Sequence, residues 1–290
     1  MNFNSVKPIL PLMASAVLFF TSCEKDITVD LPQPEEKIVV EGYITPGAAA
    51  YVFVSKTAGF FEPTDNNALL SAAVKNATVI LSDGTNTDTL VAPASDIGYL
   101  YLSPVIRGEV GKIYTLLVKL DDGRTVTSVT TIPASIPLDS VWFKERALND
   151  DRGWVWATLS DPAAPGNCYR WFAKRLGKDD DFIAPIGSVN EDKFFNGLTF
   201  DFAYNRGTAP YSEAEDDNND NAGYFLKGDS IVVKFASTTK ESYDFWRSAE
   251  SQAASNGSPF GSPSPLKSNI VGGLGIWEGF SFTLDTIVAQ

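Results

Sequence analysis

The chain has 290 residues, 44% of them hydrophobic and 20% charged, and it contains no histidine. The missing imidazole excludes a Ser-His-Asp triad, a Cys-His dyad and a histidine-based zinc site. With 36 acidic and 23 basic residues the formal charge is −13, so nucleic acid, a polyanion, is not an expected partner. The length corresponds to roughly two domains, and the many aromatic, Val, Ile and Thr residues favour strands.

Residues 1–22 have the features of a lipoprotein signal peptide. Lys7 is the only charge before Glu24, and residues 9–20 form an apolar run. As a helix this run would span about 18 Å, against a hydrocarbon core of about 30 Å. It is therefore too short for a stable membrane anchor and fits the core of a signal peptide.

The end of this run resembles a bacterial lipobox. Phe20-Thr21-Ser22 places small residues before Cys23, whose thiol would be acylated and which would become the first residue after cleavage. Phe20 departs from the leucine that is commonest at that position. An ordinary secretory signal followed by a chance cysteine is the alternative. We expect a covalent lipid on Cys23.

Residues 23–37 have the composition of an acidic tether, with two prolines, five carboxylates and little that could pack. The segment Glu24-Lys25-Asp26 resembles the surface-export signal of Bacteroidota lipoproteins, and a merely solvated linker is the alternative. The expected location is the outer membrane, with the protein lipid-anchored and facing the cell exterior.

Cys168 is the other cysteine of the chain. A lipidated Cys23 cannot form a disulfide, so Cys168 would be a lone thiol in an aromatic, strand-like run. Such a cysteine is usually a small buried hydrophobe. Without a histidine to activate it, we do not expect a catalytic role.

The sequence pattern of residues 38–133 predicts an immunoglobulin-like β-sandwich, because about seven short strand-like runs are separated by turn residues. The clearest hairpin joins residues 113–120 to 125–132 through Asp121-Asp122-Gly123, where glycine supplies the positive φ of the turn. Pro133 and Pro137 then mark a boundary. The other predicted strands cover residues 38–44, 51–55, 77–82, 87–91 and 98–102.

Residues 138–290 predict a second β-rich domain, a sandwich or barrel-like fold that carries one α-helix. Its predicted strands cover residues 140–143, 154–159, 168–173 and 281–288. Trp154 and Trp156 share one strand face, as do Tyr169 and Trp171. Paired aromatic residues can form a platform on which a sugar stacks, and packing in a sandwich or barrel core is the alternative.

Residues 177–223 read as irregular and polar, and they include an acidic segment from Glu213 to Asn221. Asp216, Asn218 and Asp220 have the alternate spacing of calcium-loop oxygens, but the rest of the segment does not match an EF-hand. A looser calcium site and a solvated acidic loop both remain open.

The helix is predicted near residues 239–255. Thr238 and Glu241 have the spacing of a capping box, and Tyr243, Trp246 and Ala249 recur on one face. The glycines at residues 272–279 do not have the spacing of a phosphate-binding loop, so strand kinks or close backbone approach explain them better.

Together these features resemble a family of Bacteroidota lipoproteins known as domain of unknown function 4249. The resemblance rests on the lipobox at Cys23, on Thr131-Ile132-Pro133, on the helix with Tyr243, and most specifically on the segment 269–275. The first half is also similar to carboxypeptidase-regulatory-like sandwiches. The family has no established activity, and its genes often lie near TonB-dependent outer-membrane receptors, which implies an accessory role in uptake or surface binding.

Three functions follow as hypotheses. The first is a non-enzymatic, lipid-anchored protein that binds a receptor or an extracellular ligand of unknown identity. The second is a glycan-active enzyme that uses a carboxylate pair, recognisable by two close carboxylates in an aromatic cleft, one with a raised pKa. The third is a structural or adhesive envelope module. We expect no cofactor besides the lipid, with calcium left open.

Overall fold

The computed structural model describes residues 35–57, 71–92, 100–148, 150–208, 220–255 and 265–290. These residues confirm a mainly β protein arranged as a sandwich-like set of sheets with one α-helix. The predicted signal peptide and Cys23 lie outside the described residues. No helix in the described ranges has the length and apolar character needed to cross a membrane.

The strands of the first half follow the sequence pattern closely, with alternate residues buried as expected for half-buried sheets. Their bounds are β1 Ile38–Ile44, β2 Ala49–Lys56, β3 Thr78–Ser82, β4 Thr87–Thr89, β5 Leu100–Arg107, β6 Ile113–Lys119 and β7 Thr125–Thr131. The strands of the second half are β8 Ser140–Glu145, β9 Arg152–Ser160, β10 Cys168–Arg175, β11 Val189–Glu191, β12 Thr199–Tyr204, β13 Phe225–Leu226, β14 Ser230–Thr238, β15 Leu274–Gly279 and β16 Ser281–Val288. The helix α1 is Lys240–Ser255.

The first hydrophobic core lies between two four-stranded sheets, one ordered β15-β1-β2-β5 and the other β4-β3-β6-β7. The predicted hairpin is present: β6 and β7 pair antiparallel, and Gly123 has a φ of 88° in the turn. Val40, Leu116 and Trp277 are fully or almost fully buried in this core. Burial of such side chains stabilises the fold by about 1.5–3 kcal/mol each.

The second core lies between the sheet β11-β10-β14-β16 and a sheet in which β9 pairs with β8, β12 and β13. Tyr169 and Trp171 point into this core, together with Val155 and Phe235. Residues 36–290 form one compact unit.

One strand does not follow the domain boundary that the sequence predicts between residues 133 and 138. The sequence predicts that residues 274–279 belong to the second domain, whereas β15 pairs in parallel with β1 and contributes Trp277 to the first core. The glycines of this segment allow close backbone approach, as the sequence predicted. A Cβ at Gly273 would lie 2.6 Å from the carbonyl oxygen of Ile38, and one at Gly279 would overlap that of Thr131.

The helix is confirmed, but its N-cap is Thr239 and not Thr238. The Thr239 hydroxyl accepts from the backbone N–H of Ser242 at 3.3 Å, as an N-cap does. Thr238 is the last residue of β14, and its hydroxyl donates to Glu278 Oε1 at 2.5 Å. Trp246 Nε1 donates to Glu278 Oε2 at 2.8 Å, so one buried carboxylate ties α1 to β15.

The sequence predicts that residues 177–223 are irregular, and this prediction is wrong for part of the segment. They contain β11, a 3-10 turn at Asp192–Phe194 and β12, whose alternating Phe200, Phe202 and Tyr204 pack against the second core. Only 6% of the Asp179 side chain is exposed, and its carboxylate oxygen Oδ1 lies 2.7 Å from Arg175 Nη2.

Candidate functional site

Trp154 and Trp156 lie on the outer side of β9. Val155 and Ala157 alternate with them and are buried in the second core, which leaves both indoles half-buried on the solvent side. The sequence predicts that the two share a face, and the structure shows that this face points away from the core. Tyr169 and Trp171, the other pair, do point inward.

Two further aromatic residues join them. Trp142 on β8 is the register partner of Trp156, and the two rings stack with centroids 6.2 Å apart at 25°. Tyr224 lies beside Trp154 with centroids 5.7 Å apart. We call these four residues, Trp142, Trp154, Trp156 and Tyr224, the aromatic face. Three of the six tryptophans of the chain therefore lie on the outer side of one sheet.

Cations flank one side of the aromatic face. Lys144 Nζ lies 4.8 Å from the Trp156 ring, and the guanidinium carbons of Arg146 and Arg152 lie 5.5 and 5.8 Å from the Tyr224 ring. Cation–π contacts of this kind stabilise exposed sites by about 0.5–1 kcal/mol. Hydrogen bonds from Arg152 hold the pKa of Asp150 at about 2, so its carboxylate is ionised at neutral pH and fixes both arginines.

A row of polar side chains flanks the other side. Ser140 Oγ donates to Thr158 Oγ1 at 2.9 Å, and Thr158 Oγ1 donates to Asp201 Oδ1 at 2.7 Å. Thr158 follows Trp156 by two residues, so the row lies on the same side of the sheet. Asp201 thus presents a carboxylate next to the aromatic rings, where it can accept hydrogen bonds from hydroxyl groups.

The indole N–H of Trp156 has no hydrogen-bond partner among the described residues, although the atom is buried. Buried donors are nearly always paired, and an unpaired one costs about 1–3 kcal/mol. The aromatic face therefore contains one buried N–H donor without an acceptor among the described residues.

Of the other predicted site residues, the structure describes only Asp220. Cys23, Asp216 and Asn218 lie outside the described residues. Asp220 is exposed, and its backbone carbonyl accepts from Arg152 Nη1 at 3.0 Å. In the ranges that the structure covers, no three acidic or cysteine side chains converge as metal ligands. Calcium binding by the acidic segment stays an open alternative to a solvated loop.

Cys168 is confirmed as a buried free thiol, with 2% of its surface exposed. Burial raises its pKa to about 12, so the thiol is neutral at physiological pH. A neutral thiol is a poor nucleophile.

Among the described carboxyl groups, Asp285 has a raised pKa, and burial is the cause. No neighbouring carboxylate contributes to that shift, so Asp285 does not have the signature of a paired acid and base. The sequence had signalled neither Trp142 nor Tyr224 as members of a site. Alternation along β8 could have marked Trp142, but strand pairing places it beside Trp156.

Comparison with known proteins identifies the family. The model for the domain of unknown function DUF4249 matches residues 24–284. The chain belongs to the DUF4249 family. No curated protein matches it. Among solved structures, one titled "Cytokine receptor complex - Crystal form 1A" is similar at 8% identity and a TM-score of 0.27, over 86% of this chain and 96% of that one.

Proposed function

We propose that this DUF4249 protein is a non-enzymatic, lipid-anchored protein of the outer membrane that captures a glycan on its aromatic face. The observation that carries the proposal is the placement of Trp142, Trp154 and Trp156 on the outer side of one sheet. Large indoles usually pack inward, and a half-buried cluster of them on the solvent side of a sheet, with polar neighbours, is typical of a binding surface.

The chemistry of the face suits a sugar. Aromatic rings offer apolar surfaces to the C–H side of a pyranose, and successive outward residues on a strand lie about 7 Å apart. Asp201 can accept from sugar hydroxyls, while Lys144 and Arg146 can donate to them. Both kinds of partner stand at the edge of the rings, where the hydroxyls of a stacked sugar would lie.

The cellular part of the proposal rests on the sequence. Cys23 carries the lipid, and the acidic segment after it directs the protein to the outer surface of a Bacteroidota cell. There it would present the ligand to a TonB-dependent receptor. The finer fold proposal is that β1 to β7 form an immunoglobulin-like sandwich, supported by two facing sheets in which these seven strands pair antiparallel with one another. Strand β15 adds a parallel neighbour at the edge of one of them.

Affinity electrophoresis tests the binding function. The purified protein is run in gels that contain xylan, mannan, dextran or starch. We expect at least one polysaccharide to retard the wild type, and Trp154→Ala and Trp156→Ala to remove the retardation. Phe194→Ala is the matched control, because Phe194 is 86% exposed on a different part of the chain. No retardation by any polysaccharide, or full retardation of both Trp variants, would contradict glycan capture.

A pull-down tests the partner separately. The tagged, lipidated protein is recovered from native outer membranes, and co-purifying proteins are identified by mass spectrometry. A TonB-dependent receptor should be enriched over a Cys23→Ser control. Equal recovery with the control would contradict the partnership while leaving glycan capture intact.

A further inference from the structure

A pocket lies on the outer face of the sheet β11-β10-β14-β16, where β10 and β14 face β1 and β2. Its volume is about 560 Å³, within the range of small-molecule sites. We call it the cationic pocket, after Arg170 and Lys234, which line it together with Tyr51, Phe172, Phe182 and Phe280.

Arg170 has no hydrogen-bond or ion-pair partner among the described residues. Its guanidinium carbon lies 3.5 Å from the centroid of the Trp246 ring and 4.7 Å from that of Phe172, and its Nε is buried without an acceptor. Burial lowers the pKa of Arg170. A guanidinium presents five N–H donors in a fixed fork, so an unpaired one is unusual in a half-buried position.

Lys234 is also unpaired within the described ranges. Its Nζ lies 4.1 Å from the ring of Phe172 and 4.6 Å from that of Phe182. Phe172 is the register partner of Lys234, which makes Arg170 and Lys234 diagonal neighbours on one face. Burial and the like charge of Arg170 lower the pKa of Lys234 to about 8.

Three carboxylates line the same pocket, and none of them forms an ion pair with Arg170 or Lys234, although Glu278 is close enough to attract both cations. Both oxygens of Glu278 accept hydrogen bonds, from Thr238 and Trp246. Glu41 is exposed and accepts from the hydroxyl of Tyr43 at 2.8 Å. Asp181 is exposed. These carboxylates would repel a polyanion, whereas a single negative charge could lie between the cations.

We propose that the cationic pocket binds a small organic monocarboxylate with an apolar body. The carboxylate lies between Arg170 and Lys234, and the body packs against Phe172, Phe182 and Phe280. A carboxylate bound here reduces the repulsion between the two half-buried cations. It also accepts hydrogen bonds from the guanidinium N–H groups of Arg170. The site is separate from the aromatic face, so this inference does not depend on the proposed function.

Calorimetry at pH 7 on the full mature chain in detergent tests the proposal. The probes are indole-3-acetate, its neutral analogue indole-3-ethanol, and inorganic phosphate. We expect indole-3-acetate to bind at least about tenfold more tightly than either other probe, the effect of one charge-assisted hydrogen bond. Lys234→Met should weaken that binding by about tenfold or more, and Lys234→Arg should restore most of it.

Lys174→Met is the matched control, because Lys174 lies on the same face of β10 but donates to the Asp180 carbonyl instead of lining the pocket. It should leave the affinity unchanged. Thermal melts confirm that each variant is folded. The proposal fails if the acid and the alcohol bind equally, if Lys234→Met binds as the wild type does, or if indole-3-acetate gives no heat up to about 10 mM.

Discussion

Gly275 lies directly against Val40, so close that a Cβ on Gly275 would overlap the carbonyl oxygen of Val40. Gly275 has a φ of 109°. The contact is part of the parallel pairing between β15 and β1, and no side chain larger than hydrogen can occupy the space without separating the two strands.

Gly275→Ala should therefore destabilise the protein by at least about 3 kcal/mol, through combined overlap and backbone strain. Gly123→Ala is the matched control. Gly123 also has a positive φ, but open space surrounds its missing Cβ, so strain alone should cost about 1–2 kcal/mol. Urea unfolding measures both. Equal losses would mean that the contact with Val40 is not limiting.

Asp179→Ala should destabilise the fold by about 3–5 kcal/mol, because it leaves the guanidinium of Arg175 buried without its carboxylate. Arg175 is 1% exposed, and its backbone N–H also donates to Asp179 Oδ2 at 2.8 Å. Asp180→Ala, at the exposed neighbour, should change stability by less than about 0.5 kcal/mol. Denaturant midpoints at constant m-value compare the two variants. A loss below about 1 kcal/mol for Asp179→Ala would contradict the dependence of the Arg175 guanidinium on this carboxylate.

Cys168 should resist alkylation in the native protein and react fully after denaturation. Its raised pKa of about 12 keeps the thiol neutral at pH 8, and burial blocks access. Iodoacetamide labelling followed by mass spectrometry, with and without urea, measures both states. Rapid labelling of the folded protein at pH 8 would contradict the assignment of a buried thiol.

Lys234→Met should be more stable than the wild type at pH 7, and the difference should shrink between pH 8 and 10. The pKa of Lys234 is about 8 in the folded protein and close to 10.5 when unfolded, so the unfolded chain binds more protons across this interval. Wild-type stability therefore rises with pH relative to the variant. Parallel urea titrations at pH 7, 8.5 and 10 follow the difference. A constant difference would mean that Lys234 keeps its usual pKa.

Cys23→Ser should release the protein from membranes without unfolding it. The expected lipid holds the chain through buried methylenes, each worth about 0.8 kcal/mol, and several acyl chains are needed for firm attachment. Membrane pelleting after a salt wash, with circular dichroism of the released protein, measures both properties. A variant that still pellets would contradict lipid anchoring at Cys23.

Local patterns in the sequence predicted the local parts of this fold. The hairpin of β6 and β7 followed from two alternating runs and Gly123, because its partners are neighbours in the chain. The pairing of β15 with β1 could not be predicted in this way, because the two strands lie near opposite ends of the folded region and no local sequence pattern indicates it. Glycine spacing at residues 272–279 did indicate close backbone approach.

The candidate sites could be predicted only in part, because they depend on how strands and sheets pack together. Alternation revealed that Trp154 and Trp156 share a face, but it could not tell whether that face points inward, since the answer depends on the opposing sheet. The cationic pocket was missed for a similar reason. Arg170 and Lys234 are far apart in sequence, and antiparallel pairing of β10 with β14 brings them together.

The pairing of β1 with β15 also imposes an order on folding. Strand β1 is made and emerges first, but its neighbour in the sheet comes from the last twenty residues of the chain. Until then one edge of β1 has exposed backbone groups, and such an edge can pair with another chain. The first sheet is therefore completed only once residues 274–279 are available, and a chain that stops before them would leave β1 as a site for aggregation.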